Sequence, residues 1–185
     1  MNDVNPLTLL QRCEAGEAGA IEEFVHTYQL ASYRLALSIL DDPVEAEEAA
    51  QDALVTALDR LDSYRGEAAF TTWLYTLTLN LCRARLRKRR ARQRLTSLLQ
   101  EVFRLHAQPA HPEAEFQKIE TDTALWSAIR RLSDQQREAI VLRYYHELPI
   151  TNIAQVTGVS ERTVHNRLRA AHERLRFLLE DKERS

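Results

Sequence analysis

The sequence contains few of the residues that interrupt helices: only 4 glycines and 5 prolines occur among its 185 residues. Because turn-rich β structure draws heavily on both residue types, their scarcity favours a helical fold. Hydrophobic residues make up 44% of the chain and charged residues 28%, a balance that suits a packed core and argues against wholesale disorder. The length allows one or two domains.

Long apolar runs and abundant cysteine are also missing. The longest apolar runs fall far short of the about eighteen residues that a membrane span requires, so we expect none. The first residues lack the features of a signal peptide, and we expect a cytoplasmic protein. Cys13 and Cys82 are far apart, and we expect both to be reduced and structural. No paired spacing joins them to His106 and His111 as a zinc site, so we expect no metal and no cofactor.

Charge is distributed unevenly, although the formal net charge is only -2. Residues 1–82 hold fourteen acidic side chains and four basic ones, whereas residues 83–94, RARLRKRRARQR, hold eight basic side chains and no acidic one. A chain polarised in this way indicates two kinds of partner, one of them anionic.

Residues 149–175 have the pattern of a helix, a tight turn and a second helix. Gly158 stands at the turn, where it can take a positive φ without steric cost. Ser160 is a favourable N-cap for the second helix. An apolar stripe then recurs at steps of three and four, as in an amphipathic helix: Val164, Leu168, Ala171, Leu175 and Leu178.

The opposite face of this second helix carries long polar side chains: Arg162, His165, Asn166 and Arg169. A helix anchored by one stripe, with donors on the other side, suits a DNA major groove. We expect base-edge contacts from among these four and phosphate contacts from Arg167 or Arg174. The alternative is a two-helix part of an all-α core with a solvated charged face.

The first half of the chain predicts four helices, over residues 5–14, 17–40, 43–61 and from 70 onwards. In the first helix we expect Leu7 and Leu10 to be buried. Asp42 and Pro43 are a favourable cap and first residue for the third. Residues 62–69, DSYRGEAA, break the periodicity and predict a loop.

Aromatic side chains precede the basic run on one segment, beginning with Phe70 and Trp73. Bases stack on aromatic rings while cations follow the phosphates, so this segment fits single-stranded nucleic acid. The alternative is that both rings belong to the core.

Residues 96–121 contain two prolines and short polar runs, which predict a flexible linker. Beyond it, Trp126 and Ile129 lie on one short helix, and Ser133 is a cap for the next. We therefore expect an all-α protein of two small helical domains, residues 1–95 and 122–182.

Three segments resemble conserved regions of bacterial sigma factors, in the right order. PVEAEEAAQDAL resembles their acidic helix with its Gln-acid pair, and FTTWLYTLTLN with the basic run resembles the second region. LSDQQREAIVLRYYHELPITNIAQVTGVSERTVHNRL resembles the fourth region, with its helix-turn-helix. Two such domains with a short linker are similar to the extracytoplasmic-function (group 4) subfamily of the sigma-70 family.

The resemblance implies a factor that binds core RNA polymerase and directs promoter-specific initiation, without enzymatic activity or a small-molecule substrate. Its partners would be core polymerase, promoter DNA and an anti-sigma factor. The implied polymerase-binding residues are Glu47, Glu48, Gln51 and Asp52. Those implied for the minus-ten element are Tyr64, Arg65, Phe70, Thr72, Trp73, Asn80, Arg83, Arg87 and Lys88. Those for the minus-thirty-five element are Ser160, Arg162, Thr163, His165, Asn166, Arg167 and Arg169.

Two other classes of protein compete with this interpretation. An ordinary helix-turn-helix regulator would explain the C-terminal half but not the acidic helix or the basic run. A protein-only adaptor would explain the acidic helix, and promoter-specific transcription in vitro distinguishes it from a sigma factor. The sequence contains no P-loop, nucleophile motif or paired metal ligands that would indicate an enzyme.

Overall fold

The computed structural model describes residues 6–103 and 124–183, and every regular element in these ranges is helical. This confirms the all-α prediction. The α-helices are α1 Pro6–Glu14, α2 Ala20–Leu40, α3 Pro43–Asp59, α4 Phe70–Phe103, α5 Ala124–Arg130, α6 Asp134–Ile140, α7 Ile150–Thr157 and α8 Glu161–Glu183. A 3₁₀ turn occupies Leu61–Ser63, and a π-helical turn, Val141–Tyr145, extends α6.

Local signals set several helix ends. The Asp42 carboxylate accepts a hydrogen bond from the Glu45 amide at 2.9 Å, and Pro43 begins α3. Ser133 and Gln136 form a capping box at the start of α6. Gly158 ends α7 with a φ of 72° and supplies the predicted turn.

The first half of the molecule packs α1 to α4 around an aromatic core. Phe24, Tyr28, Leu54, Phe70 and Leu74 are buried together there. The α1 helix closes this core with Leu9 and Leu10, which are both buried.

One prediction for α1 is wrong, because Leu7 is 54% exposed. The buried face of α1 passes through Leu9, Leu10 and Cys13 instead. Leu7 and Leu10 are three residues apart and share one side of the helix, but the sequence does not show which flank of Leu10 meets α2.

The second half packs α5, α6 and α7 against α8. All five residues of the predicted α8 stripe are buried: Val164, Leu168, Ala171, Leu175 and Leu178. The helix-turn-helix is therefore built as the sequence predicts, with one face of α8 committed to the core.

The two halves also pack on each other. One apolar cluster contains Leu35 of α2 and Leu79 of α4 together with Leu142, Ile153 and Val156 of the second half. The α4 backbone continues as helix to Phe103, so residues 96–103 of the range predicted as linker are helical. The remainder of the predicted linker, together with His106 and His111, lies outside the described residues.

Candidate nucleic-acid and polymerase interfaces

The loop before α4 closes over a cluster of aromatic rings. The Tyr64 hydroxyl donates to the Ala68 carbonyl at 2.7 Å, which closes the loop across its own length. The Tyr64 and Trp73 ring centroids are 5.5 Å apart, and both side chains remain partly exposed. These two rings offer a stacking surface to an unstacked base.

Phe70 lies behind those rings. It is 3% exposed and contacts Tyr28 and Trp73 with ring centroids 4.9 and 5.4 Å apart. The sequence left open whether Phe70 belongs to the core. It does, because its ring supports Tyr64 and Trp73 rather than facing solvent. A minus-ten role for Phe70 stays a prediction, and the buried ring has almost no exposed surface to offer a base.

Thr72, two residues further along α4, faces the second half of the molecule. It is 2% exposed, and its hydroxyl accepts a hydrogen bond from the Asn152 amide at 3.1 Å. A strand approaching Thr72 would therefore have to displace α7.

The basic run of α4 contains some cations that are exposed and others that bind groups elsewhere in the same chain. Arg87 and Lys88 are exposed, as are Arg92 and Arg94. Arg85 instead binds Glu48 at 2.7 Å and Asp52 at 2.6 Å, which ties α4 to α3. Arg89 donates to the Leu40 carbonyl, and Arg90 pairs with Asp134 at 2.7 Å. The sequence pattern does not separate these two groups.

Arg83 makes the most buried ion pair in the described residues. Its Nε and Nη2 donate to the two carboxylate oxygens of Glu138 at 2.9 and 2.7 Å, and Glu138 is 2% exposed. The hydrogen bonds to Glu138 raise the pKa of Arg83 against an opposing effect of burial. Asn80, one turn earlier, is exposed, and its side-chain oxygen lies 3.5 Å from Arg83 Nη1. Sequence reasoning missed Glu138, which is fifty-five residues from its partner.

The acidic helix α3 presents all four predicted polymerase-binding residues to solvent, namely Glu47, Glu48, Gln51 and Asp52. Two apolar side chains that the sequence analysis did not single out share this surface: Val44 is 67% exposed and Val55 is 58% exposed. Positions 44, 48, 51 and 55 lie on one helical face, because their spacing follows the helical repeat. Exposed valines next to carboxylates indicate a protein partner, since interface centres are apolar and rims are polar.

The recognition surface on α8 is open. The four predicted base-contacting side chains, Arg162, His165, Asn166 and Arg169, are all exposed opposite the buried stripe. The Ser160 hydroxyl accepts from the Thr163 amide at 3.2 Å, so Ser160 caps the helix, and it contacts the Thr163 hydroxyl at 2.9 Å. Arg167 is half-buried at the edge of this surface.

Two further features bear on function. Among residues 6–103 and 124–183, no helix is both long enough and apolar enough to cross a bilayer. The same part of the chain holds no group of three or more His, Cys, Asp or Glu side chains arranged to hold a metal ion.

These surfaces define a class of protein: a helical transcription factor with a helix-turn-helix on one half and an acidic helix beside a basic helix on the other. Comparison with known proteins gives the family. Residues 24–92 match the model of Sigma-70 region 2, and residues 122–175 match the model of Sigma-70, region 4.

Individual relatives agree with the family models. The chain is 32% identical over 171 residues to the ECF RNA polymerase sigma factor SigM of Mycobacterium tuberculosis, covering 92% of this chain and 83% of SigM. It is 29% identical over 178 residues to SigW of Bacillus subtilis, covering 93% and 95% of the two chains. The structure of the sigma factor RpoE in complex with the anti-sigma factor NepR, from Bartonella quintana, matches with a TM-score of 0.66 and 26% identity, covering 88% and 98%.

The chain therefore belongs to the extracytoplasmic-function group of the sigma-70 family of RNA polymerase sigma factors. Sigma factors are non-enzymatic initiation factors. The chain binds core RNA polymerase and directs promoter-specific initiation, reading the minus-ten element with the N-terminal domain and the minus-thirty-five element with the helix-turn-helix.

Proposed function

We propose that three separate surfaces of this chain carry its sigma-factor activity. The exposure of the polar face of α8 is the observation that best supports this division. Four polar side chains stand exposed on α8 while every residue of the opposite stripe is buried. A helix held so rigidly by one face presents the other in a fixed geometry, as base readout requires.

The minus-thirty-five surface consists of Arg162, His165, Asn166 and Arg169 for base edges. Arg167 lies at the edge of this surface, where it suits a phosphate contact. Ser160 and Thr163 shape the helix N-terminus, whose free amides and positive dipole also favour a phosphate.

The minus-ten surface combines the Tyr64 and Trp73 rings with Arg65, which is exposed on the loop. Asn80, Arg83, Arg87 and Lys88 continue this surface along α4. The rings stack a flipped base, and the exposed cations supply sequence-independent affinity for the strand. Phe70 contributes from behind, as its burial requires, whereas Thr72 becomes accessible to a strand only when α7 moves away.

The polymerase surface is the exposed face of α3. Glu47 and Gln51 lie between Val44 and Val55 on this face, and their side chains are 3.5 Å apart. Glu48 lies on the same face and Asp52 beside it, but Arg85 binds both carboxylates and partly neutralises them. The charge-reversing pair Glu48→Lys and Asp52→Lys would set two cations against Arg85 and disturb α4. Glu47→Lys and Val55→Asp are preferable substitutions, because they leave the ion pairs of Arg85 in place.

The Bartonella sigma factor was crystallised with the anti-sigma factor NepR, and this chain has its fold. An anti-sigma factor is accordingly a partner of this chain, and its place of work is the cytoplasm, where RNA polymerase acts. The chain itself performs no catalysis. Its functional units are residues 1–95 and 122–182, with 96–121 as the connection.

Runoff transcription with core polymerase on a panel of promoters tests the polymerase surface and the minus-thirty-five surface together. Glu47→Lys with Val55→Asp should weaken core binding and lower transcription on every promoter, because this face contacts no DNA. Asn166→Ala should leave core binding unchanged and relax selectivity at one base pair, costing about 1–3 kcal/mol there. The matched control is Glu180→Gln on the same helix, beyond the recognition surface.

Two results would contradict the proposal. If the α3 variant bound core polymerase as tightly as the wild type at low salt, the polymerase surface would lie elsewhere. If the wild-type chain bound core polymerase but supported no promoter-specific transcript, the protein-only adaptor would be the better description.

A further inference from the structure

The face of α4 that carries two of the proposed strand contacts is covered by the second half of the same chain. Arg83 is held by Glu138 of α6, and its Nη2 also lies 3.5 Å from the Thr157 carbonyl of α7. Thr72, about three turns earlier on the same helix, is bound by Asn152 of α7. The helix-turn-helix half therefore covers the face that a melted strand would approach.

Glu138 binds the guanidinium of Arg83 in the geometry that a phosphate would use. Both carboxylate oxygens accept from the guanidinium fork, at 2.9 and 2.7 Å. Arginine forms such bidentate pairs with carboxylate and with phosphate. Because one edge of the guanidinium can serve one bidentate anion, Glu138 and a backbone phosphate exclude each other there.

Further contacts make this closed arrangement specific rather than a loose collapse. Arg137 donates to the Ile39 carbonyl at 3.1 Å, and Arg130 pairs with Asp41 at 2.9 Å. The Tyr75 hydroxyl lies 3.2 Å from His146 Nδ1. These contacts surround the shared apolar cluster, so polar and apolar groups fix the same orientation of the two halves.

The second half of the chain covers only one of the two proposed DNA-binding surfaces. Arg162, His165, Asn166 and Arg169 of α8 are exposed in the same conformation that buries Glu138 against Arg83. The closed chain thus leaves the duplex-reading surface open while it covers part of the strand-binding surface.

We propose that the helix-turn-helix half is an internal competitor of the single-stranded minus-ten element for α4. In the closed chain, Glu138 and Asn152 hold Arg83 and Thr72, and a single strand gains full contact with α4 only when they release them. This inference rests on the proposed minus-ten surface. Duplex binding through α8 does not require the release.

The expected size of the effect follows from the fraction of open chain. The apparent dissociation constant equals the intrinsic constant divided by the fraction of competent molecules. A closed state favoured about tenfold therefore weakens single-strand binding about tenfold and leaves duplex binding unchanged.

The opening experiment uses the full chain and two fluorescent probes, a short single strand of mixed sequence and a duplex of the same sequence. Fluorescence anisotropy at fixed salt compares wild type with the double variant Glu138→Gln and Asn152→Ala. The double variant should bind the single strand about tenfold more tightly and the duplex within about twofold of wild type. Glu180→Gln is the control, because Glu180 makes an exposed pair with Arg176 outside the interface.

The locking experiment tests the same competition in the opposite direction and does not depend on the folding of the opening variant. Arg90 and Asp134 form an exposed pair across the two halves, with their side-chain atoms 2.7 Å apart. Cysteines at both positions, in a Cys13→Ser chain, can be joined by a short bismaleimide, since Cys82 is fully buried. The crosslinked chain should lose single-strand affinity relative to the same chain before crosslinking and keep duplex affinity.

The outcomes separate this inference from the surface assignment. Replacing Arg87 and Lys88 by alanine in the opened chain tests the surface itself. If these substitutions weaken single-strand binding but opening and locking change nothing, the strand-binding surface stands and the competition is refuted. If the substitutions change nothing in the opened chain, the surface assignment fails and the inference fails with it.

Discussion

The polar face of α8 and the basic run of α4 resemble each other in the sequence but differ in the structure. Both are clusters of long polar side chains on an amphipathic helix. On α8 the four base-contacting candidates are exposed. On α4 Arg83, Arg85 and Arg90 bind carboxylates of the same protein.

The difference lies in what determines the partners of a charged residue. On α8 the apolar stripe alone decides which face is free, and the stripe is visible in a window of about eighteen residues. On α4 the acids that bind Arg83 and Arg85 come from α6 and α3, so only tertiary packing identifies them. A basic run is therefore a weaker predictor of free cations than a clean stripe is of a free face.

The largest expected effect tests the two faces of α8 against each other. Leu178 is 3% exposed in the stripe, so Leu178→Ala should lower the free energy of unfolding by about 2–5 kcal/mol through lost burial and a residual cavity. Asn166→Ala on the open face should change it by no more than about 0.5 kcal/mol. Urea denaturation followed by circular dichroism measures both. Equal losses would mean that the open face also contributes to packing.

Local chemistry accounts for the parts of the fold that the sequence predicted. Asp42 with Pro43, the Ser133 cap and the Gly158 turn act through atoms within about one helical turn. The α8 stripe belongs to a single helix with one buried side. In each case the interacting groups are neighbours in the chain, so the local sequence pattern is enough to predict the structure.

The missed features depend on distant contacts. Leu7 was misplaced because the flank of α1 that meets α2 is set by packing. Leu79 shares an apolar cluster with Leu142 and Ile153, which a pattern confined to one half cannot show. Glu138 was missed as the partner of Arg83 for the same reason. The domain interface was therefore the least predictable part of the molecule.

An intermediate effect concerns pH and the domain interface. Burial, together with the nearby Arg34, lowers the pKa of His146 from 6.5 to about 4. The groups that face this ring are Tyr75, Tyr145 and Arg34. An unfolded chain would bind a proton between these two pKa values while the folded chain stays neutral at His146.

The contribution of neutral His146 to the free energy of unfolding is complete above about pH 6.5. It is lost as the pH falls towards 4, because protons then favour the unfolded chain. Thermal unfolding across this range should show a steeper loss of stability for wild type than for His146→Gln, which has no titrating group. The difference should reach at most about 3 kcal/mol. Parallel curves for the two proteins would show that His146 titrates normally.

The smallest expected effect distinguishes bound from free cations within the basic run of α4. Arg85 is 24% exposed and binds Glu48 and Asp52, which are themselves 59% and 54% exposed. Solvent screens such pairs, so Arg85→Ala should lower the free energy of unfolding by only about 1 kcal/mol, partly through lost packing of its alkyl stem. Arg87→Ala, two residues away and exposed, should change stability by less than about 0.5 kcal/mol. Denaturant titration of both variants at low and high salt measures the difference, which should shrink as salt rises because the Arg85 pairs are screened. Two indistinguishable variants would mean that Arg85 is as free as Arg87, and the contrast between α4 and α8 would then rest on Arg83 and Arg90 alone.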